Sequence, residues 1–184
     1  MDPRLAWVLV VGAAVALFAL TAAGPKRRAK PKRVLLVGDS LAVGLAGPLG
    51  SHLRAGGVDV AAGVKGATIA GFWQPKLDAM LRDHQPELVL FSLGTNDCRF
   101  EESRACADFQ ERTRDLAEQC HTRGARPVFL IPAWLSWAQR IRDRLTYGAD
   151  SWEPSAWPEL QRDQIHPTAA GYKTWAADLA GRIK

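Results

Sequence analysis

Arg33-Val34-Leu35-Leu36-Val37-Gly38-Asp39-Ser40-Leu41-Ala42-Val43-Gly44 sets the architecture of this chain. The apolar run is short, branched and uninterrupted, which fits a strand buried on both faces. It stops at Gly38-Asp39-Ser40, and the residues beyond have helical character. In open parallel α/β sheets, sites form just past the carboxyl ends of the strands. Ser40 stands there and is the candidate nucleophile.

The same alternation continues outward. A strand over 33–38 leads to a helix over 41–54, then to a second strand over 58–62. Gly63-Val64-Lys65-Gly66-Ala67-Thr68 reads as a glycine-rich loop. Phe72, Trp73, Leu77, Met80 and Leu81 have helical spacing over 72–83. Leu88-Val89-Leu90-Phe91-Ser92-Leu93 is a third buried strand, stopped by Gly94-Thr95-Asn96-Asp97. A polar-faced helix over 103–122 closes at Gly124. A fourth strand over 128–131 ends at Pro132, and an amphipathic helix is expected over 134–145. Residues 147–165 have no clear period, although a fifth strand fits near 149–153. Pro167 then opens a last helix at its first position. Strands alternating with helices give a parallel sheet covered on both faces. The expected fold class is α/β, a flavodoxin-like three-layer α/β/α sandwich with a parallel sheet of four to five strands.

The 184 residues carry 24 basic and 19 acidic side chains, a net charge of +5. Six of the bases fall in 26–33: Lys26, Arg27, Arg28, Lys30, Lys32 and Arg33. From Val34 onward there are 17 basic and 18 acidic residues, so the domain itself is near neutral and a nucleic-acid partner is not expected. Leu5 to Gly24 carries no charge, and about 20 residues of helix cross a bilayer core of about 30 Å. The domain organisation read from this is a transmembrane anchor or signal segment over 1–24, a basic Pro-containing tether over 25–32, and a globular domain over 33–184. An uncleaved single-pass membrane anchor is favoured over a cleaved signal peptide, because the n-region is weak. The tether suits anionic headgroups. The side of the membrane stays open, because the basic cluster favours a cytoplasmic domain and envelope substrates would require the opposite.

Cys98, Cys106 and Cys120 have no metal-type spacing. Cys98 and Cys106 have the option of pairing in an oxidising compartment, and free or buried thiols are the plainer reading. No metal site is evident, and His52, His84 and His121 read as surface or helix-end residues.

Three motifs follow strands or fill the loops they feed. Gly38-Asp39-Ser40 alone is also a turn with a helix N-cap. Asn96 in Gly94-Thr95-Asn96-Asp97 either holds a turn or offers a side-chain amide to a developing oxyanion. In Asp163-Gln164-Ile165-His166-Pro167-Thr168 one tight turn supplies a carboxylate and an imidazole three residues apart. His166 either caps the last helix or faces Ser40 with Asp163 behind it.

Taken together these motifs resemble those of the SGNH hydrolase superfamily, the GDSL-type esterases and lipases, which is named for blocks carrying Ser, Gly, Asn and His. The blocks match here as Gly38-Asp39-Ser40-Leu41, Gly66 within 63–68, Gly94-Thr95-Asn96-Asp97, and Asp163-Gln164-Ile165-His166-Pro167-Thr168-Ala169-Ala170-Gly171-Tyr172. The resemblance spans about 33–184. The family's last block usually reads Asp-Gly-Val-His, and Gln164-Ile165 fills the middle here.

The resemblance implies a serine hydrolase that works through an acyl-enzyme without a cofactor. Ser40 would attack, His166 would carry the proton and Asp163 would orient His166. The backbone N–H groups of Ser40 and Gly66 and the side chain of Asn96 would form the oxyanion hole. Asp39 and Asp97 would tie loops together. The expected substrate is a small acyl ester such as an O-acetyl carbohydrate, because a domain of this size has little room for a lid. Trp73, Trp134, Trp137, Trp152 and Trp157 fall near strand-end loops, and Trp152 and Trp157 are candidates to line the substrate. The alternatives are a thioesterase or lysophospholipase of the same fold, and a catalytically idle carbohydrate- or envelope-binding module. A nucleotide binder is disfavoured, since no phosphate loop follows the first strand.

Overall fold

The computed structural model describes residues 29–145 and 150–183. Five strands form a sheet: β1 Arg33–Gly38, β2 Asp59–Val64, β3 Leu88–Ser92, β4 Arg126–Leu130 and β5 Asp150–Trp152. Every pairing is parallel and the spatial order is β2-β1-β3-β4-β5. Among the described residues, five helices connect or follow them: α1 Ser40–Ala55, α2 Ala70–His84, α3 Arg104–Thr122, α4 Ala138–Asp143 and α5 Ala169–Ile183. This is the α/β sandwich expected from the sequence, in the flavodoxin-like strand order.

The two central strands are the apolar runs of the sequence. Val34 to Val37 and Leu88 to Phe91 are all nearly inaccessible to solvent, as two covered faces require. The chain leaves β1 toward β2 through α1, then crosses back to β3 through α2. Right-handed crossovers therefore put α1 on one face and α2 with α3 on the other. Accordingly α1 packs on α5, and α2 packs on α3. Phe91 and Phe129 stack at 5.0 Å across β3 and β4.

The reversal of winding falls between β1 and β3, and there the two backbones almost touch. A Cβ built on Gly38 would lie 2.3 Å from the Ser92 carbonyl oxygen. Asp39 N–H donates to that same carbonyl at 3.1 Å, and Lys65 N–H donates to Gly38 O at 3.0 Å. The last residue of β1 is thus held from both neighbouring strands, which fixes where Ser40 begins α1.

Several local expectations are corrected. β2 extends to Val64, because Gly63 and Val64 pair with Val37 and Gly38, so the glycine loop starts at Lys65. The helix expected over 134–145 is confined to Ala138–Asp143. Leu135 N–H bonds Pro132 O and Ala138 N–H bonds Leu135 O, three-residue turns that replace helix there. Pro167 does not open α5. It bridges to Leu160, and Thr168 takes the cap position with its hydroxyl accepting from Gly171 N–H. The fifth strand is present and short. Cys98, Cys106 and Cys120 are buried free thiols, the plainer of the two sequence readings.

The compact unit containing the sheet begins at Pro31. The sequence expectation of a membrane-anchored, single-pass protein is not supported: among the described residues no helix is long and apolar enough to cross a membrane. The stretch 5–24 that carried it, and residues 25–28 of the tether, lie outside the described residues.

Because the obstruction at Gly38 is backbone, it cannot swing aside as a side chain would. Gly38→Ala is expected to destabilise the fold by about 2 kcal/mol or more, read as the shift of the urea unfolding midpoint.

Candidate active site

Ser40 is the first residue of α1, and the helix start is capped by its predecessor: Asp39 Oδ1 accepts from Leu41 N–H at 3.0 Å. The neighbouring helix is capped from the loop after β3. Asp97 Oδ1 accepts from Ala70 N–H, the first residue of α2, at 2.9 Å. Both carboxylates are fully buried. They join the loops after β1 and β3 to helix N-termini, where a negative charge is favoured.

Burial opposes that charge. It pushes the Asp39 carboxyl up to about 7, against the Leu41 N–H and the Thr95 hydroxyl, with Asp97 adding repulsion and His166 partly offsetting it. Burial likewise pushes Asp97 up to about 6 despite three backbone N–H groups and Arg112. The second oxygen of each, Oδ2, accepts no hydrogen bond.

Asp163 is in the opposite situation. Its Oδ1 accepts from Ile165 N–H at 2.9 Å and His166 N–H at 3.0 Å, and its Oδ2 lies 2.7 Å from His166 Nδ1. The His166 side chain and then the two backbone donors hold its carboxyl down to about 2. An ionised carboxylate only accepts, so His166 Nδ1 carries the ring proton and Nε2 is left as an acceptor. Nε2 is 2.8 Å from Ser40 Oγ, across 126 residues of sequence. The arrangement can pass the Ser40 hydroxyl proton to Nε2 while Asp163 stabilises the resulting imidazolium.

The turn that makes this possible is tight. Gln164 sits at φ 56°, in the left-handed region. Its N–H and its side-chain amide both donate to Gln161 O, and Gln161 N–H donates to His166 O at 2.8 Å. The position filled by Gly in the resembling family thus has the conformation that favours Gly. Gln164 tolerates it with this added bonding.

Asn96 is the only partly exposed residue between Phe91 and Cys98. Its Nδ2 donates to Thr68 O at 2.9 Å. An amide carries two such hydrogens, so one N–H is left for another acceptor. The bond also ties the Asn96 loop to the Gly66 loop. A Cβ on Gly66 would meet no atom within 4 Å, and its φ is not positive, so neither packing nor backbone conformation demands glycine there. Thr68 was not distinguishable in the sequence, because it acts through its carbonyl.

The structure brings Ser40, His166 and Asp163 into one hydrogen-bonded chain and bonds the Asn96 loop to the loop bearing Gly66. Trp152 is half-buried on β5, with the Arg126 guanidinium over its ring at 5.6 Å. Trp157 is 70% exposed on the segment leading to Asp163. Trp73 and Trp134 belong to the core.

No family model matches this chain, and no curated protein matches it. Solved structures do. The inhibitor-bound aryl esterase of M. smegmatis superposes with a TM-score of 0.66 at 19% identity, over 83% of this chain and 98% of that one. Est24, a carbohydrate acetylesterase from Sinorhizobium meliloti, gives 0.65 at 17% identity, with the same coverage of both chains. The structure of TesA gives 0.65 at 21% identity, also over 83% and 98%. At these identities the likeness carries the fold: the α/β architecture is that of GDSL-type hydrolases.

An acid whose folded-state pKa exceeds its unfolded value keeps a proton in the fold that the unfolded chain has released. For Asp39 that stabilisation is complete below about pH 4 and is lost as the pH rises through about 7. Asn at 39 retains an oxygen for Leu41 N–H and carries no charge. Asp39→Asn is therefore expected to melt higher than the parent at pH 8 and no higher at pH 4, by calorimetry at both pH values.

Proposed function

We propose that this protein is a serine esterase that hydrolyses a small carboxylic ester through an acyl-enzyme. The observation that carries the reading is the unbroken chain from Asp163 Oδ2 to His166 Nδ1 at 2.7 Å and from His166 Nε2 to Ser40 Oγ at 2.8 Å. It stands at the carboxyl edge of a parallel sheet, beside the point where the winding reverses.

Ser40 Oγ attacks the acyl carbon as its proton passes to His166 Nε2. The negative oxygen that forms is received by the N–H groups of Ser40 and Gly66 and the free N–H of Asn96. His166 returns its proton to the leaving alcohol, and the acyl group stays on Ser40. Water then attacks with His166 again as base, releasing the acid and restoring the hydroxyl. The low Asp163 pKa keeps its carboxylate ionised across the neutral range, as an acceptor for His166 Nδ1–H.

The substrate is a short acyl ester, with an O-acetylated carbohydrate as the best fit. The loop from Lys65 to Ile69 between β2 and α2 is too short to form a lid. The triad turn is open, with the Asp163 side chain 44% exposed. The exposed Trp157 offers an indole face of the kind that stacks on sugar rings. The likeness to an enzyme described as a carbohydrate acetylesterase supports the same choice.

With p-nitrophenyl esters from C2 to C12, activity is expected to peak at C2–C4, and a peak at C8 or longer contradicts the small-acyl reading. Ser40→Ala and His166→Ala are expected to lower kcat by about 10³-fold or more, and Asn96→Ala by about 10²-fold. Gly66→Ala is expected to unfold within about 0.5 kcal/mol of the parent while losing activity. Equal activity of Ser40→Ala and the parent would overturn the proposal.

A further inference from the structure

The triad turn is almost self-contained. Its hydrogen bonds run within residues 159–168: Asp163 to Ile165 and His166, Gln161 to His166 and Pro167, and Thr168 to Glu159. Leu160 and Ile165 pack against the core and Thr168 caps α5, so the loop is seated on the domain, but few hydrogen bonds set the rotation of the His166 segment on that seat. Among the described residues, two hydrogen bonds reach Asp163–His166 from outside the 159–168 turn. One is the His166–Ser40 contact itself, which must break and reform in each half-reaction. The other is Trp134 Nε1–H donating to Ile165 O at 2.9 Å.

Trp134 is well placed to act as a fixed post. It is 7% exposed, and its ring meets Trp175 edge-on at 5.1 Å and 87°. Trp175 is fully buried in α5 and stacks on Tyr172 at 6.5 Å. Tyr172 in turn lies against Gly44 of α1, where a Cβ would come within 2.2 Å of its ring. Gly44 is one helical turn beyond Ser40. A single packed path therefore runs from the helix bearing Ser40 through Tyr172, Trp175 and Trp134 to the carbonyl next to His166.

We infer that Trp134 is a positioning residue for His166. Its indole N–H fixes the Ile165 carbonyl, so that Nε2 returns to Ser40 Oγ after each proton transfer. The inference rests on the esterase reading of Ser40, His166 and Asp163. The neighbouring Trp137 provides an internal contrast, because its buried Nε1 makes no hydrogen bond.

The test replaces Trp134 in the full chain with benzothienylalanine, which keeps the bicyclic ring and lacks the N–H. Trp134→Phe and Trp137→Phe are made beside it. The readouts are the labelling rate with a fluorophosphonate, the split of kcat and KM on p-nitrophenyl acetate, and the downfield NMR resonance of the His166 Nδ1 proton. The analogue is expected to slow labelling tenfold or more and to lower kcat with KM within twofold. It is also expected to broaden the His166 resonance, while Trp137→Phe stays within twofold of the parent. Parent-like labelling by the analogue would overturn the inference. If the parent itself is not labelled, the esterase reading fails, and the His166 resonance still decides the role of Trp134: kept in the analogue it refutes that role, and lost it supports it.

Discussion

The carboxyl ends of β1 and β3 lie closer together than any side chain on Gly38 would allow. That approach puts the Ser92 carbonyl in reach of Asp39 N–H and brings the chain out of both strands at one level. Ser40 follows one strand and Asn96 the other. Because the winding reverses between these strands, helices on opposite faces diverge from this point and leave a crevice. The loop after β2 is tied to Asn96 through the Thr68 carbonyl, and the turn before α5 sets His166 against Ser40.

Three carboxylates around this point show how environment separates like groups. Asp39 and Asp97 are buried with one oxygen each unpaired, and burial works against their charge. Their use as helix caps spans loops that no apolar side chain could join by hydrogen bonds. Asp163 is exposed and fully engaged, and the same chemical group is held down to about 2. The fold thus disfavours charge on the two buried helix caps and favours it on the carboxylate behind His166. Structure that holds a site in place often lowers stability, and Asp39 and Asp97 carry that cost here.

Most of the sheet was legible because its signals are local. Four strands are apolar runs with turn residues at their ends, and Asp163 and His166 lie close enough in sequence for one turn to present both. Where the sequence reading failed, distant contacts had decided. Residues 134–137 have helical spacing, yet the turns after Pro132 take over and Trp134 reaches Ile165, 31 residues away. Pro167 resembles a helix start, but pairing with Leu160 claims it. Thr68 orients Asn96 through a carbonyl, which every residue possesses, so residue identity carried no signal. The membrane anchor expected from the uncharged run 5–24 falls outside the described residues, and among the described residues no helix is long and apolar enough to cross a membrane.

The central claim is that Ser40 is an activated nucleophile able to form a covalent acyl-enzyme. The most direct measurement is intact-mass spectrometry of the full chain after a brief acid quench from p-nitrophenyl acetate, with peptide mapping of the adduct. The account predicts a single acetyl group on the peptide containing Ser40, absent from Ser40→Ala and strongly reduced in His166→Ala. An adduct elsewhere, or equal acetylation of the parent and Ser40→Ala, would contradict it.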